Sequence, residues 1–336
     1  MSSPFFMLMP SGRRVVVFFK IALVALFGGL LAYELGRGDQ LNIIWAAFRA
    51  QRGHANAGWL LAVLALLPVN WLLETQKWRL LLHSFMSVGW AQSLRGVLAG
   101  VSLAVFTPNR LGEYGGRVLF IRPRHRWQAV AANIVSTLSQ AVVVVAAGSA
   151  GLLWFVQHHL QPAAFYLYAV AIMALASVAV LLFCYFHIRL LTLVLRRAKW
   201  LRRMRPLMRG AGVLGRFSQR TLAKVLGCAA LRYWVYSVQY FFLLNYFGIK
   251  TGILGGFAGI STLFLLQTGI PLPPVMGLVA RGSLAVQVWA QFGANEISSL
   301  AATFLLWIIN LILPALVGTF FLLNVQREEI QNNEKD

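Results

Sequence analysis

Arg110, Glu113 and Arg117 stand at positions i, i+3 and i+7. On a helix these three share one face. Two guanidiniums around one carboxylate make a positive set of fork-shaped donors, which suits two-point binding of a phosphate group. Glu113 would hold the arginines in place between engagements. The same three side chains could equally pair among themselves and stabilise a cytoplasmic loop. From Tyr114 to Asn295 the chain has no acidic residue, so Arg281 lies in an apolar run with no acid nearby in sequence. An arginine within a membrane is costly and marks a functional site by default. Its bland alternative is snorkelling to the cytoplasmic interface. Asn109, Asn133, Ser136, Gln140 and Gln267 could line a polar path beside these charges, or simply bond between helices.

These candidates sit on two interrupted apolar segments of similar wording. Leu98-Ala99-Gly100-Val101-Ser102 is followed by Thr107-Pro108, then by Gly112 and Arg117. Phe257-Ala258-Gly259-Ile260-Ser261 is followed by Pro271, Pro273 and Pro274, then by Gly277 and Arg281. A long apolar run follows each. Proline removes a backbone donor and stops a helix. In hydrocarbon, a broken helix survives only where its free backbone groups face protein or a wet cavity. Two such breaks in corresponding places are the sequence pointer to a transporter made of repeats, with discontinuous helices around a central site. Half-helix N-termini would direct partial positive charge into that site, where an anionic phosphate could rest.

The remaining elements must hold these breaks in a bilayer. The chain is 59% hydrophobic and 12% charged, with mean hydropathy +0.70; a soluble domain carries about 25% charged residues. The expected fold is all-α: a polytopic helix bundle of about 6–8 spans, with two broken or re-entrant segments related as an internal repeat. It forms a single transmembrane domain over 1–336, with a first half at about 15–157, a second at about 163–325 and a basic cytoplasmic loop at 189–224. Strong spans are expected at Val15–Tyr33, Gly58–Leu73, Ala129–Val156, Ala163–Phe186, Leu222–Phe247 and Ile297–Leu323. Leu94–Phe106, Gly252–Ile270 and Val275–Phe292 are shorter, glycine-rich or bounded by proline, and read as half-helices or re-entrant pairs. Trp71, Trp78, Trp90 and Trp127 lie near span ends, as an interfacial aromatic belt requires.

Formal net charge is +21. In a soluble protein this would suggest nucleic acid. Here no RNA-binding or helix-turn-helix module accompanies it, and no nucleic-acid partner is expected. Threading the spans with the N-terminus inside puts Arg13, Arg14, Lys77, Arg79, the arginines from Arg110 to Arg126 and the basic block on the cytoplasmic side. Only Arg37, Arg49, Arg52 and Lys250 fall outside. That asymmetry puts both termini in the cytoplasm. The basic block would rest on anionic inner-leaflet lipids or serve only as a topology anchor. No paired carboxylates for acid–base work, nucleophile elbow or Walker loop is present, so no enzyme activity is expected and any transport is not directly ATP-driven. His158-His159 has no third ligand, and no metal or cofactor is expected.

At Pro108, Gly112-Glu113 and Arg117 the chain resembles the lysylphosphatidylglycerol synthase transmembrane-region family, flippase-like integral membrane proteins. The family's second signature, a Pro-Gly-Gly-x-Gly stretch followed by an acid, is altered. Val275-Met276 replaces the double glycine, and Arg281-Gly282-Ser283 stands where the acid belongs. The resemblance runs from about Trp59 to Leu323. In fused members such a region precedes a soluble aminoacyl-transferase domain, which has no counterpart before Asp336. The resemblance implies a stand-alone translocase of the bacterial inner membrane, moving phospholipids or isoprenoid-linked lipids, glycan-bearing ones included. Arg110, Glu113, Arg117 and Arg281 would contact the headgroup. The alternatives are a non-transporting scaffold or accessory subunit that docks partners on the basic loop, and a membrane-embedded lipid-modifying enzyme.

Overall fold

A computed structural model of the chain describes residues 57–105, 107–189, 212–273 and 277–322, together with Gly29, Asn42, 45–47 and Arg49. The first expected span at 15–33 except Gly29, Pro274, residues 190–211 of the basic block and both termini lie outside the described residues. The described chain is helical, with no strand. In order come α1 (Ala57–Leu82), α2 (Trp90–Ala104), α3 (Gly112–Val118), α4 (Arg126–Phe155), α5 (Ala164–Phe186), α6 (Gln219–Tyr246), α7 (Ile253–Thr268), α8 (Leu278–Ala290) and α9 (Glu296–Trp307). The last continues through a π turn at Ile308–Ile312 to Leu322.

Among the described residues, four helical runs are long and apolar enough to cross a bilayer: Ala57–Leu82, Pro123–Leu160, Ala164–Phe186 and Glu296–Leu322. The 28-residue α6 is long enough but carries Arg232, Tyr233, Tyr236, Gln239 and Tyr240 along its length. It packs on α1, α4 and α9 along one side and leaves Leu231 and Trp234 exposed on another. Its start is set by Ser218, whose hydroxyl accepts from the Thr221 amide at 3.1 Å. Helix α9 starts in the same way, with the Asn295 side chain accepting from the Ser298 amide at 2.7 Å and Glu296 complementing the helix dipole. Both caps satisfy donors that a bilayer could not.

The three weaker segments are short helices. α2, α7 and α8 have 15, 16 and 13 residues. At ~1.5 Å per residue they reach roughly 20–24 Å, short of the ~30 Å hydrocarbon core. Helices α2 and α3 form one tight hairpin and α7 and α8 another. The first is closed by Gly116, where a Cβ would collide with Ala99 and Gly100. The second is closed by Gly259 against the Trp289 ring.

Each hairpin packs on the long helix of the opposite half. Gly318, beyond α9, fits against the Leu98 carbonyl and the Ser102 hydroxyl of α2. Gly151 of α4 fits against the Ala258 carbonyl and the Ser261 side chain of α7. The two similar pentapeptides, 98–102 and 257–261, are thus both places where a glycine of the opposite half comes close to a helix backbone. Small residues are needed there because helices in lipid associate through close packing rather than hydrophobic exclusion.

Between the hairpins, α6 lies along α1, and the Gln239 amide donates to the Val63 carbonyl at 2.9 Å. At the next residue, the Tyr240 hydroxyl meets Thr303 Oγ1 at 2.7 Å and accepts from the Trp289 indole at 2.9 Å. Replacing Tyr240 by Phe strands the buried indole N–H. The expected loss is about 1 kcal/mol, seen as a lower thermal midpoint in detergent; an unchanged midpoint would remove this triad from the account.

Candidate functional site

The first break begins where α2 runs out. Thr107 Oγ1 accepts from the Gly112 amide at 2.7 Å, closing the turn that replaces the missing helix bonds at Pro108. Within it Asn109 and Arg110 adopt φ of 49° and 58°. Two successive non-glycine residues in the left-handed region are unfavourable, about 1–2 kcal/mol each, and such strain collects at functional sites. Its consequence is that Arg110 leaves the α3 helix axis and turns into the bundle.

At the second break, Pro271 and Pro273 lie between α7 and α8, and the Gly277 amide donates to the Pro273 carbonyl at 2.8 Å. Arg281 follows one turn into α8. Its carbonyl accepts weakly from the Gln267 side chain at 3.5 Å, which ties the two arms of the hairpin together.

Both breaks open on the same cavity, about 470 Å³ in volume. Asn109 and Arg110 line it from the first break; Thr268, Ile270, Leu272 and Arg281 line it from the second. Arg232, Tyr233, Tyr236 and Tyr240 of α6 form a third wall, and Trp71, Trp307 and Asn310 complete it. The volume is in the range of small-ligand sites, ~300–1,000 Å³. Among the described residues that line it there is no carboxylate.

A smaller cavity of about 220 Å³ adjoins it and shares Trp71, Arg110, Gln140 and Arg232. Glu113 and Arg117 line this one, with Glu74 and Lys77. The four sequence candidates therefore divide between two adjoining spaces: Arg110 in both, Arg281 in the larger, Glu113 and Arg117 in the smaller. Arg110, Glu113 and Arg117 do pair as their spacing suggested, although Arg110 lies in the turn before α3 rather than on it. Arg110 Nε lies 3.3 Å from Glu113 Oε2, and Arg117 Nη2 bonds Glu113 Oε1.

The centre of the network was not among the expected residues. Glu74 of α1 receives Arg117 Nη2 at 2.6 Å on one oxygen. Its other oxygen faces Lys77 Nζ at 2.7 Å and Arg232 Nη1 at 3.0 Å. Lys77 lies within the bundle and not in a loop: Lys77 and Arg117 are 2% and 1% exposed, and α1 runs on through Leu82. Trp71 and Trp78 likewise leave the proposed belt. Arg232 lies over the Trp71 ring at 5.4 Å and Arg117 over the Trp78 ring at 5.1 Å, where desolvated cation–π contacts gain most. Arg232 also donates to Asn70 Oδ1 at 3.0 Å, and Asn70 donates to Asn310 at 2.7 Å. The rule that singled out Arg281, an ionisable residue inside an apolar helix, would have found Glu74 and Arg232 as well. Asn133 is buried and lines neither cavity.

Four cations, Lys77, Arg110, Arg117 and Arg232, thus share two carboxylates, Glu74 and Glu113, for an excess of two positive charges. Arg281 stands apart from this network, on the wall of the larger cavity. Chemically this is a fixed positive field with fork-shaped donors, suited to holding an oxyanion.

A search of the curated proteins finds no match. The family model described as the lysylphosphatidylglycerol synthase TM region matches residues 17–318, spanning both hairpins and all the helices that build the two cavities. This helical membrane protein, of lipid-related function, belongs to the lysylphosphatidylglycerol synthase TM region family.

Proposed function

We propose that this protein is a lipid translocase, moving a phospholipid or isoprenoid-linked lipid between leaflets by seating its headgroup in the arginine-lined chamber. The observation that carries this reading is the convergence of both proline breaks on one cavity bearing Arg110 and Arg281. Polar groups inside a membrane are retained where they serve a substrate path. Half-helices meeting near a central site are the architecture by which transporters build one. Arg110 and Arg281 would engage the phosphate. Glu113 and Arg117 would hold Arg110 and the turn that carries it, and Gln267 would brace the second hairpin. The chain has no Walker loop, so movement would be passive or coupled to a gradient rather than to ATP. The host membrane would be the bacterial inner membrane, with both termini cytoplasmic and the 189–224 block lying on anionic headgroups, as the Lys/Arg asymmetry favours.

The test is lipid exchange in vesicles containing the purified protein and a trace of chain-labelled phosphatidylglycerol, read by the fraction a membrane-impermeant quencher reaches. Wild-type vesicles should equilibrate the label well ahead of protein-free ones. The Arg110→Ala/Arg281→Ala double variant should be slowed about tenfold or more, one decade corresponding to about 1.4 kcal/mol, while eluting as a single species. Exchange no faster than in protein-free vesicles would reject translocation and favour the scaffold alternative.

A further inference from the structure

We infer that the chamber discriminates by headgroup charge, accepting lipids whose headgroup carries phosphate negative charge and no ammonium group. This rests on the translocase reading and names its substrate class. The larger cavity has Arg110, Arg232 and Arg281 on its wall and, among the described residues, no carboxylate. An entering ammonium meets three guanidiniums on that wall, and the carboxylates that face Arg110 and Arg232 stand in the adjoining space.

The adjoining smaller cavity does hold two carboxylates, but all four of their oxygens are taken. Glu74 Oε1 faces Arg117, and Oε2 faces Lys77 and Arg232. Glu113 Oε1 faces Arg117 and Oε2 faces Arg110. A headgroup ammonium could reach a carboxylate only by displacing a cation that is itself part of the buried network. Leaving that cation unpaired is the costly outcome in a low-dielectric interior. An anionic headgroup needs no such exchange. It meets an existing excess of positive charge, and Arg110 can turn from Glu113 to a phosphate oxygen because its side chain is 43% exposed. Selection works here by withholding a partner from the wrong headgroup as much as by supplying one to the right headgroup.

Three acyl-labelled probes test this: phosphatidylglycerol, phosphatidylethanolamine and lysylphosphatidylglycerol. Each is measured two ways with the full chain, by exchange in protein-containing vesicles and by lipid adducts on the detergent-purified protein in native mass spectrometry. Phosphatidylglycerol should exceed both ammonium lipids by about tenfold or more in adduct formation and in rate, a decade of discrimination being within reach of one unpaired charge. Arg281→Glu places a carboxylate on the chamber wall and should narrow that ratio several-fold; Arg281→Gln should fall between the two. Equal rates and equal adducts for all three probes would overturn charge selection and leave translocation standing. No exchange for any probe would overturn translocation, and the adduct ratio would then decide selection alone. sn-Glycerol 1-phosphate in solution serves as the chain-free probe: adducts with it and none with phosphatidylglycerol would assign the chamber to a soluble phosphate and overturn the lipid assignment.

Discussion

Glu74→Ala should be the most damaging single substitution among the described residues. One carboxylate serves Lys77, Arg117 and Arg232 from inside the bundle. Removing it leaves three cations facing one another with only Glu113 to share. Breaking a buried ion pair by deleting one partner costs about 3–5 kcal/mol, because the surviving charge stays desolvated. The surface alternative, where an exposed pair is worth about 0–1 kcal/mol, does not apply to a carboxyl that is 3% exposed. The expected readout is a sharply lower unfolding midpoint in detergent and poor recovery from membranes. Adding Lys77→Met should restore part of the loss, since one orphaned cation is then gone. That recovery separates a charge effect from a packing effect, because contacting residues of one network are non-additive. A Glu74→Ala protein as stable as wild type would mean that the network is not held together by this carboxylate.

Gly318→Ala is expected to come second. A single Cβ at this position would enter the space of the Leu98 carbonyl and of the Ser102 hydroxyl. Neither can retreat easily. The first is backbone, and the second donates to the Ala315 carbonyl at 2.6 Å. The last helix and α2 would have to separate, and that bond would be lost with the contact. Overpacking costs about 1–3 kcal/mol and occasionally more; the loss here should be at the upper end, read as the unfolding midpoint. Gly151→Ala, at the matching contact of α4 on α7, should act in the same direction. A neutral result at both glycines would remove the close crossings as the fastening of the two hairpins. Because α2 and α7 lead into the two breaks, either variant should also slow lipid exchange in proportion to the protein it leaves folded.

Much of the site was legible in the chain because the bilayer narrows the options. Proline removes a backbone donor and ends a helix more often than it continues one, so Pro108 and Pro271 in apolar runs announced the breaks, although Pro68 is carried, exposed, within α1. The shared wording of 98–102 and 257–261 announced that the breaks correspond. Spacing alone related Arg110, Glu113 and Arg117. What spacing could not give was the partner of highest consequence. Glu74 lies 43 residues from Arg117, and Arg232 lies 162 residues from Asn70. Neither pair has any local pattern to betray it. Lys77 illustrates the same limit from the other side. Near the end of an apolar run it reads as a topology signal, and only the neighbouring helices bury it.

The amino-acid sequence by itself determined the solvent, the helical class and the places where helices must stop, since these follow from hydropathy, backbone hydrogen bonding and proline, all local in origin. The tertiary structure alone decided that the two stops share one cavity and that its larger part is lined, among the described residues, by cations without carboxylates. It also decided that Glu74 is the keystone of the charges behind it. Those are consequences of which helix faces which, and ion pairing in a low-dielectric interior is governed by distances of a few ångströms in space that separation along the chain does not encode.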